Sequence, residues 1–296
     1  MSLQNLRSFI EVYRRRSISA AARHLGLTQP AVSQHVSSLE AQVGRSLFVR
    51  QPRGVVPTGF AQDLAAQIGD SLDRAEEALA RMRARSAHLS GVVHLAGPAE
   101  LMAARMAPSL KALQRTGLDV RVHLGGKASI YYQLTSGQVD LAFTASTPDD
   151  LRLASAFVGV ERLIAVAVPD VVQRIVGAPT LQAGLRAEPL LAYDADRPLV
   201  RNWLEVNGVE AEGLLPAITA PDLRLLTALV RQAMGWSVIP DYLCESALAA
   251  GTLMRIPGVA AEPTNPFHLV WQKSGLRHPR VAHARDVLLQ SWDTAG

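Results

Sequence analysis

Cysteine is almost missing from this chain: Cys244 is the only one in 296 residues, which excludes an internal disulfide and any cluster of thiolates around a metal. Its apolar setting, DYLCESAL, reads as a buried, inert thiol. No apolar run reaches the roughly 18 residues that a membrane span needs. The eight histidines are dispersed, without H-E-x-x-H or a comparable ligand spacing. Gly125-Gly126-Lys127 lacks the earlier glycine and the following hydroxyl of a phosphate loop, and there is no G-x-S-x-G elbow. Spacing alone leaves a Ser-His-Asp set open, because triads assemble across a fold. No motif calls for one, so the chain is read as a non-enzyme with no catalytic residue, no metal ligand and no cofactor. The start, MSLQNLRSFIEVYRRRS, puts its arginines after a short apolar segment, the reverse of a secretory leader. A cytoplasmic protein with no membrane partner is expected.

What is present is an ordinary globular composition, 48% hydrophobic and 19% charged, in a chain long enough for two or three domains. The charge is unevenly placed. Residues 1–53 hold eight arginines against Glu11 and Glu40, whereas residues 54–88 and 89–296 each sum to about −1. The positive field belongs to the first segment alone, as expected if that segment meets a polyanion.

Within it, Leu3, Leu6, Phe9, Ile10 and Tyr13 recur at helical spacing over residues 3–15. Ser19 offers a cap for a short helix to Leu25, and Gly26 permits a tight reversal. Thr28 can cap the next helix, with Gln29-Pro30 in its first turn, where the missing proline N–H costs nothing. Helix, glycine turn and helix form a helix-turn-helix. On the last of these helices, Val32, Val36, Leu39 and Val43 share one stripe that should pack inward. Gln29, Pro30, Ser33, Gln34 and Ser37 share another face, suited to hydrogen bonding with base edges. LFVRQPRGVVPT then reads as two short strands around a basic turn, a wing from which Arg50 and Arg53 reach phosphates or the minor groove. Gln29, Pro30, Ser33 and Gln34 are the candidate base readers. Thr28, Ser37, Arg14, Arg15, Arg50 and Arg53 are the candidate backbone contacts.

These motifs together, F-x-x-V at Phe9–Val12, S-x-S-A-A-A-R-H-L at Ser17–Leu25, T-Q-P-A-V-S at Thr28–Ser33, L-E at Leu39-Glu40, G-x-x-L-F-x-R at Gly44–Arg50 and P-T at Pro57-Thr58, resemble the winged helix-turn-helix of LysR-type transcriptional regulators. Two positions depart from the family pattern. Gln34 stands where many members carry arginine, and Ser37-Ser38 where basic residues are common, which implies fewer phosphate contacts.

From Thr58 to about His88 there is no internal proline, and Leu64, Ile68, Leu72, Ala75, Leu79 and Met82 repeat at intervals of four or three. The stripe reads as a seam for a partner helix, with Leu64, Ile68, Leu72 and Leu79 as the dimerisation residues. The alternative is packing on its own domain. After Ser90-Gly91 the pattern becomes α/β: VVHLA, DVRVHL and VDLAFTA, then RLIAVAV, PLLAY, GWSVIP and HLVWQ, are β-prone runs between helical segments, read as parallel open sheets. Two such units resemble the family's effector domain, itself similar to a periplasmic binding protein with its ligand between two lobes. The expected organisation is therefore a winged helix-turn-helix domain at 1–58, a linker helix at 59–89, and a two-lobed α/β effector domain at 90–296. Lobe I would take about 90–165 and 270–296, and lobe II about 166–269.

Ligands of open α/β sheets sit at strand carboxyl ends and the helix N-termini that follow. Reading those ends gives Pro98, Ala99, Glu100, Ser129 and Thr144 from lobe I, and Asp196, Arg197, Pro221 and Asp222 from lobe II. Ser129 and Asp222 also read as helix caps. Glu100 has two readings, simple complementarity to a helix dipole or a partner for a cationic effector group.

The function that the resemblance implies is sequence-specific control of transcription in response to a small-molecule effector. Its implied partners are double-stranded operator DNA, a second copy in dimers or tetramers, and RNA polymerase. Two other readings stay in view. A solute-binding protein would need no basic N-terminal domain, and an architectural DNA protein would bind no effector.

Overall fold

The computed structural model describes residues 2–52, 54–86, 89–258 and 262–293. Its first unit is built from α1 (Leu3–Arg15), α2 (Ile18–Leu25), α3 (Gln29–Val43), β1 (Phe48–Gln51) and β2 (Gly54–Pro57). Ser2 caps α1 by accepting from the Gln4 amide at 3.2 Å. The cap of α2 is Ser17, which accepts from the Ala20 amide at 3.2 Å, and not Ser19 as its position suggested. Ser19 lies inside the helix and donates to Gln29 Oε1 at 3.0 Å. Thr28 caps α3 through the Ala31 amide at 3.4 Å, with Pro30 in the first turn.

Val32, Val36 and Leu39 are buried against α1 and α2, and Val43 packs at the edge of the same core. Polar bonds fix the rest of the inner face: Ser8 Oγ meets His35 Nδ1 at 2.8 Å, and Asn5 donates to Ser38 Oγ at 3.2 Å. Glu40 Oε1 accepts from the backbone amides of Leu47 and Phe48, at 2.7 and 3.3 Å, so one carboxylate aims the chain into the wing. The hairpin pairs Phe48 with Pro57 through Gln51 with Gly54. Only glycine serves at 54, where φ is +126° and a Cβ would lie 2.5 Å from the Arg16 carbonyl oxygen. That same oxygen accepts from the Val55 amide at 3.0 Å, tying the wing to the end of α1.

Thr58 caps α4 (Gly59–Ser86) through the Ala61 amide at 3.2 Å. Here the expected seam is corrected in part. Leu72 is buried, with Leu64 and Ile68 beside it, in a cluster with Phe9, Ile10 and Leu39 of the same chain. Leu79, by contrast, is 55% exposed and Met82 68% exposed. The first half of the stripe thus covers its own winged domain, because α1 lies alongside it. Ala80 joins the core of the following domain.

Lobe I contains β3 (Val92–Gly97), α5 (Ala99–Arg105), α6 (Ala107–Gln114), β4 (Asp119–Leu124), α7 (Lys127–Ser136), β5 (Leu141–Thr144) and the first part of β6 (Leu153–Ala167). Lobe II adds α8 (Pro169–Val176), α9 (Leu181–Ala187), β7 (Leu190–Ala192), α10 (Pro198–Val206), β8 (Pro216–Thr219), α11 (Leu223–Arg231), β9 (Ser237–Pro240), α12 (Glu245–Ala249) and β10 (Met254–Arg255). The chain returns through β11 (Thr264–Gln272), a short 3-10 turn at Lys273–Arg277, and α13 (Pro279–Asp293).

The sheet is mixed rather than parallel. β3 runs parallel to β4 and β5, but β11 is antiparallel to both β5 and β6. β6 passes between the lobes without a break: residues 153–162 pair with β11, and residues 163–167 pair with β9 and β10. The crossing therefore falls a few residues before the expected 166. Phe267, Leu269 and Trp271 of β11 and Val281 and Leu288 of α13 complete the lobe I core around Val93, Leu95 and Phe143.

Candidate DNA interface and effector cleft

Gln29, Pro30, Gln34 and Ser37 are exposed on one face of α3, and Ser33 is half-buried among them. Arg50, exposed on β1, reaches Ser33 Oγ at 3.5 Å, so the wing's guanidinium lies beside the polar face. Thr28 is exposed, with its hydroxyl engaged as the cap. Arg53 lies outside the described residues. An exposed helix face of amides and small hydroxyls, flanked by an arginine on a hairpin, fits base edges with a cation on the phosphates.

Arg14 and Arg15 do not belong to that surface. Their side chains are 6% and 10% exposed; Arg14 turns to the linker helix α4, and Arg15 towards the effector domain. Arg14 pairs with Asp73 of α4 and lies 3.6 Å from Glu11. Arg15 Nε is 3.1 Å from Glu11 Oε2, and its Nη2 reaches Gln272 Oε1 at 3.5 Å. Glu11 itself is 1% exposed. Burial works to raise its carboxyl, but His24, Arg277, Arg15 and Arg14 around it outweigh burial and hold it below the usual range. His24 is pushed down to about 4 by burial, despite Glu11 nearby, and its Nε2 lies 2.8 Å from Ser274 Oγ. None of this cluster beyond the arginines was visible in the sequence, because Glu11, His24, Ser274 and Arg277 come from opposite ends of the chain.

Lobe I meets lobe II where Glu100, after β3, approaches the start of α11, and where Gly126, after β4, approaches Tyr193, after β7. Glu100, in the first turn of α5, is 6% exposed, and its Oε1 accepts from the Leu223 amide at the start of α11, at 3.0 Å. The carboxylate thus serves a helix dipole, but that of α11 across the cleft as well as its own. Pro98 and Ala99 are half-buried beside it. Asp222 caps α11, accepting from the Arg224 and Leu225 amides at 2.8 and 3.3 Å. Hydrogen bonds from Arg224, side chain first, lower its carboxyl to about 2. Pro221 precedes it and is exposed. Thr144 is buried, and its hydroxyl donates to the Ser146 carbonyl at 2.7 Å.

Ser129 is not a cap. It sits in the third position of α7, whose N-cap is Gly126, and accepts from Gln133 at 2.9 Å. Arg197 heads α10 in the left-handed region, and its amide donates to Asp194 Oδ1 at 2.8 Å. Its guanidinium turns to the Ala211 carbonyl within lobe II rather than across the cleft, and Asp196 is exposed. Tyr193 closes the strand run PLLAY from which the lobe II lining was read, whereas Tyr242 and Glu161 were missed. Tyr193 places its hydroxyl 3.9 Å from where a Cβ on Gly126 would stand, so lobe II meets the start of α7 there. Tyr242 lies under the Arg105 guanidinium at 4.8 Å and bonds Glu161 on β6. Burial pushes Glu161 up to about 7, against hydrogen bonds from Asn265, at 3.1 Å, and Tyr242. A charge inside an otherwise β-prone run, V-G-V-E-R-L-I, was the available sign of it.

A winged helix-turn-helix joined by one helix to a two-lobed α/β domain defines a DNA-binding regulator with a ligand-sensing half. Two family models cover the chain: the bacterial regulatory helix-turn-helix protein of the lysR family over residues 3–62, and the LysR substrate binding domain over residues 86–293. Among curated relatives, the HTH-type transcriptional regulator AbaB of Streptomyces antibioticus is 33% identical, with 97% of each chain covered. The regulator TrpI of Pseudomonas aeruginosa is 30% identical, with 95% of this chain and 94% of TrpI covered. The full-length regulator LysG of Corynebacterium glutamicum, solved with bound effector Arg, shares the fold at a TM-score of 0.60 and 18% identity, over 99% of both chains. ArgP of Mycobacterium tuberculosis shares it at 0.58 and 24%, over 97% and 96%.

The chain belongs to the LysR-type family of transcriptional regulators. It is an effector-responsive, DNA-binding regulator. Among the described residues, no helix is long and apolar enough to cross a membrane.

Proposed function

We propose that this regulator works as a pair, presenting two α3 helices to two half-sites of a dyad-symmetric operator. Gln29, Pro30, Ser33 and Gln34 read base edges, while Thr28, Ser37 and Arg50 hold phosphates. The observation that carries this reading is the exposure of that face beside Arg50, in the one segment with excess positive charge. Self-association draws on the far half of α4, where Leu79 and Met82 are exposed.

The effector lodges between the lobes and is a small molecule bearing an amine. Glu100, Asp194 and Asp222 bring carboxylates to the cleft, and LysG, which shares the fold, was solved with arginine as its effector. An amine there competes with the Leu223 amide for Glu100, and so favours one spacing of the lobes over another. Coupling requires only that the two spacings bind the effector differently.

The test is selection of DNA by the purified protein at physiological salt, followed by thermal shifts with a panel of amines and acids. A two-fold symmetric site and stabilisation by amines are expected. Glu100→Gln keeps an acceptor for the Leu223 amide but loses the charge, so it should lose the amine response and keep its DNA affinity. An unchanged amine response in that variant would remove Glu100 from the effector site.

A further inference from the structure

The winged domain is docked on its own effector domain, and there α1 and α2 make their contacts through charges, hydroxyls and an amide. Arg277, in the 3-10 turn, bridges two carboxylates: its Nη2 lies 2.9 Å from Glu11 Oε1 of α1, and its Nε 2.5 Å from Glu76 Oε2 of α4. Ser274 of the same turn meets His24 of α2 at 2.8 Å, and Lys273 reaches Asp70 of α4 at 3.0 Å. Apolar contact with the turn is confined to the far half of α4, where Ala80 shares a cluster with Leu276; the apolar clusters of the winged domain end within residues 6–72, and among the described residues no apolar cluster joins α1 or α2 to the turn.

This combination has a physical meaning. Buried ion pairs recover little more than their desolvation cost, but they are strict about geometry. A contact such as that of α1 and α2, with no apolar core of its own, separates readily. The contact is therefore specific when made and inexpensive to release.

Its position in the chain supplies the second argument. The turn is the direct continuation of β11, which is paired to β6 over residues 153–162 and forms the return crossing between the lobes. At the other end of that strand, Asn265 bonds Glu161 of β6, which runs on two residues later into lobe II, where Leu163–Val166 pair with β9. A shift of lobe II along the ribbon thus moves the strand whose last residues hold the winged domain.

We propose that the 3-10 turn Lys273–Arg277 is a releasable catch for the winged domain, gripping Glu11 and His24, and that β11 conveys lobe movement to it. The recognition helices of a docked pair are held at one spacing, and release frees them to adopt another. This rests on the regulator reading above, of which it names the regulation.

The test is hydrogen exchange read by mass spectrometry on the full chain without DNA. Arg277→Met should speed exchange in peptides covering residues 3–25 by at least tenfold, and Arg277→Lys, which cannot bridge both carboxylates, by less. Tryptophan fluorescence confirms that the effector domain stays folded, since all four tryptophans lie beyond residue 200. Asn265→Ala, which touches nothing in the winged domain, should alter exchange over residues 3–25 by threefold or more. Unchanged exchange there in Arg277→Met, with the effector domain folded, overturns the catch. A change in Arg277→Met but none in Asn265→Ala overturns the transmission, and with it the proposal. Failure of the wild-type protein to select any DNA sequence is a separate result that removes the regulator reading and leaves the exchange outcome as it stands.

Discussion

Glu40 is the residue on which the wing turns, and its removal has an effect that can be sized in advance. Its Oε1 accepts from the Leu47 amide at 2.7 Å and the Phe48 amide at 3.3 Å. Leu47 is fully buried, so in Glu40→Ala its N–H finds no water in exchange. An orphaned buried donor costs about 1–3 kcal/mol, and the longer Phe48 bond adds roughly 0.5–1 kcal/mol. A loss of about 2–3 kcal/mol in a unit of this size lowers its melting temperature by roughly 10–20 °C. Glu40→Gln keeps a carbonyl acceptor and should lose about half as much. The chain offers a clean assay, because Trp203, Trp236, Trp271 and Trp292 all lie in the effector domain. Fluorescence then reports that domain alone, while exchange over residues 29–57 reports the winged one. The expected result is an early winged-domain transition in Glu40→Ala with an unmoved fluorescence transition. If the winged domain of Glu40→Ala melted with wild type, or if Glu40→Gln fell as far, the acceptor argument would be wrong.

Other outcomes follow from the same structure. Gln29→Ala and Ser33→Ala should each relax preference at particular operator positions, by about 1–3 kcal/mol per discriminated base pair, as read by competition between single-base variants. Arg50→Ala should instead weaken all DNA alike and reduce the salt slope by about 1, and a base-specific loss from it would reverse the assignment. Glu161, 5% exposed, is held by burial at about 7, above its ordinary 4.5. A carboxyl raised in the fold keeps a proton that the unfolded chain has shed, so effector-domain stability should fall as pH rises from about 4.5 through 7. The fall is on the order of 3 kcal/mol, read as urea midpoints at pH 5 and 8, and Glu161→Gln should flatten it. Equal wild-type midpoints at those two values would count against the buried charge.

The local elements were legible because their signals are local. Thr28 before Gln29-Pro30, Gly26 after Leu25 and the valine stripe of α3 each act within one or two turns of chain, and the strand runs of both lobes were found the same way. The failures have a common cause in partners far along the chain. Arg14, Arg15 and Arg16 look alike in sequence, but Asp73 and Gln272 claim the first two, while Arg16 stacks on Tyr13. Leu72 and Leu79 repeat in one stripe, and only the placement of α1 distinguishes the buried one from the exposed one. Glu100 was read against its own helix, since nothing in its neighbourhood points to the Leu223 amide. The antiparallel entry of β11 into a parallel sheet escaped for a related reason: β-propensity carries no direction.

Lobe II is an insertion into lobe I, and this has a consequence for the order in which the protein comes into being. Lobe I waits for Phe267, Leu269, Trp271 and the helix that follows before its core can close, whereas the winged domain has every residue of its own core by Leu72. On a ribosome, where domains fold as they emerge, the half that touches DNA is finished while most of the sensing half is still to be made. A product cut short anywhere inside lobe II would keep the winged domain without the complete sensing half and without the turn on which that domain docks. Whatever DNA such a fragment bound, it would bind without answering to any effector, so complete translation is itself a condition of regulated binding.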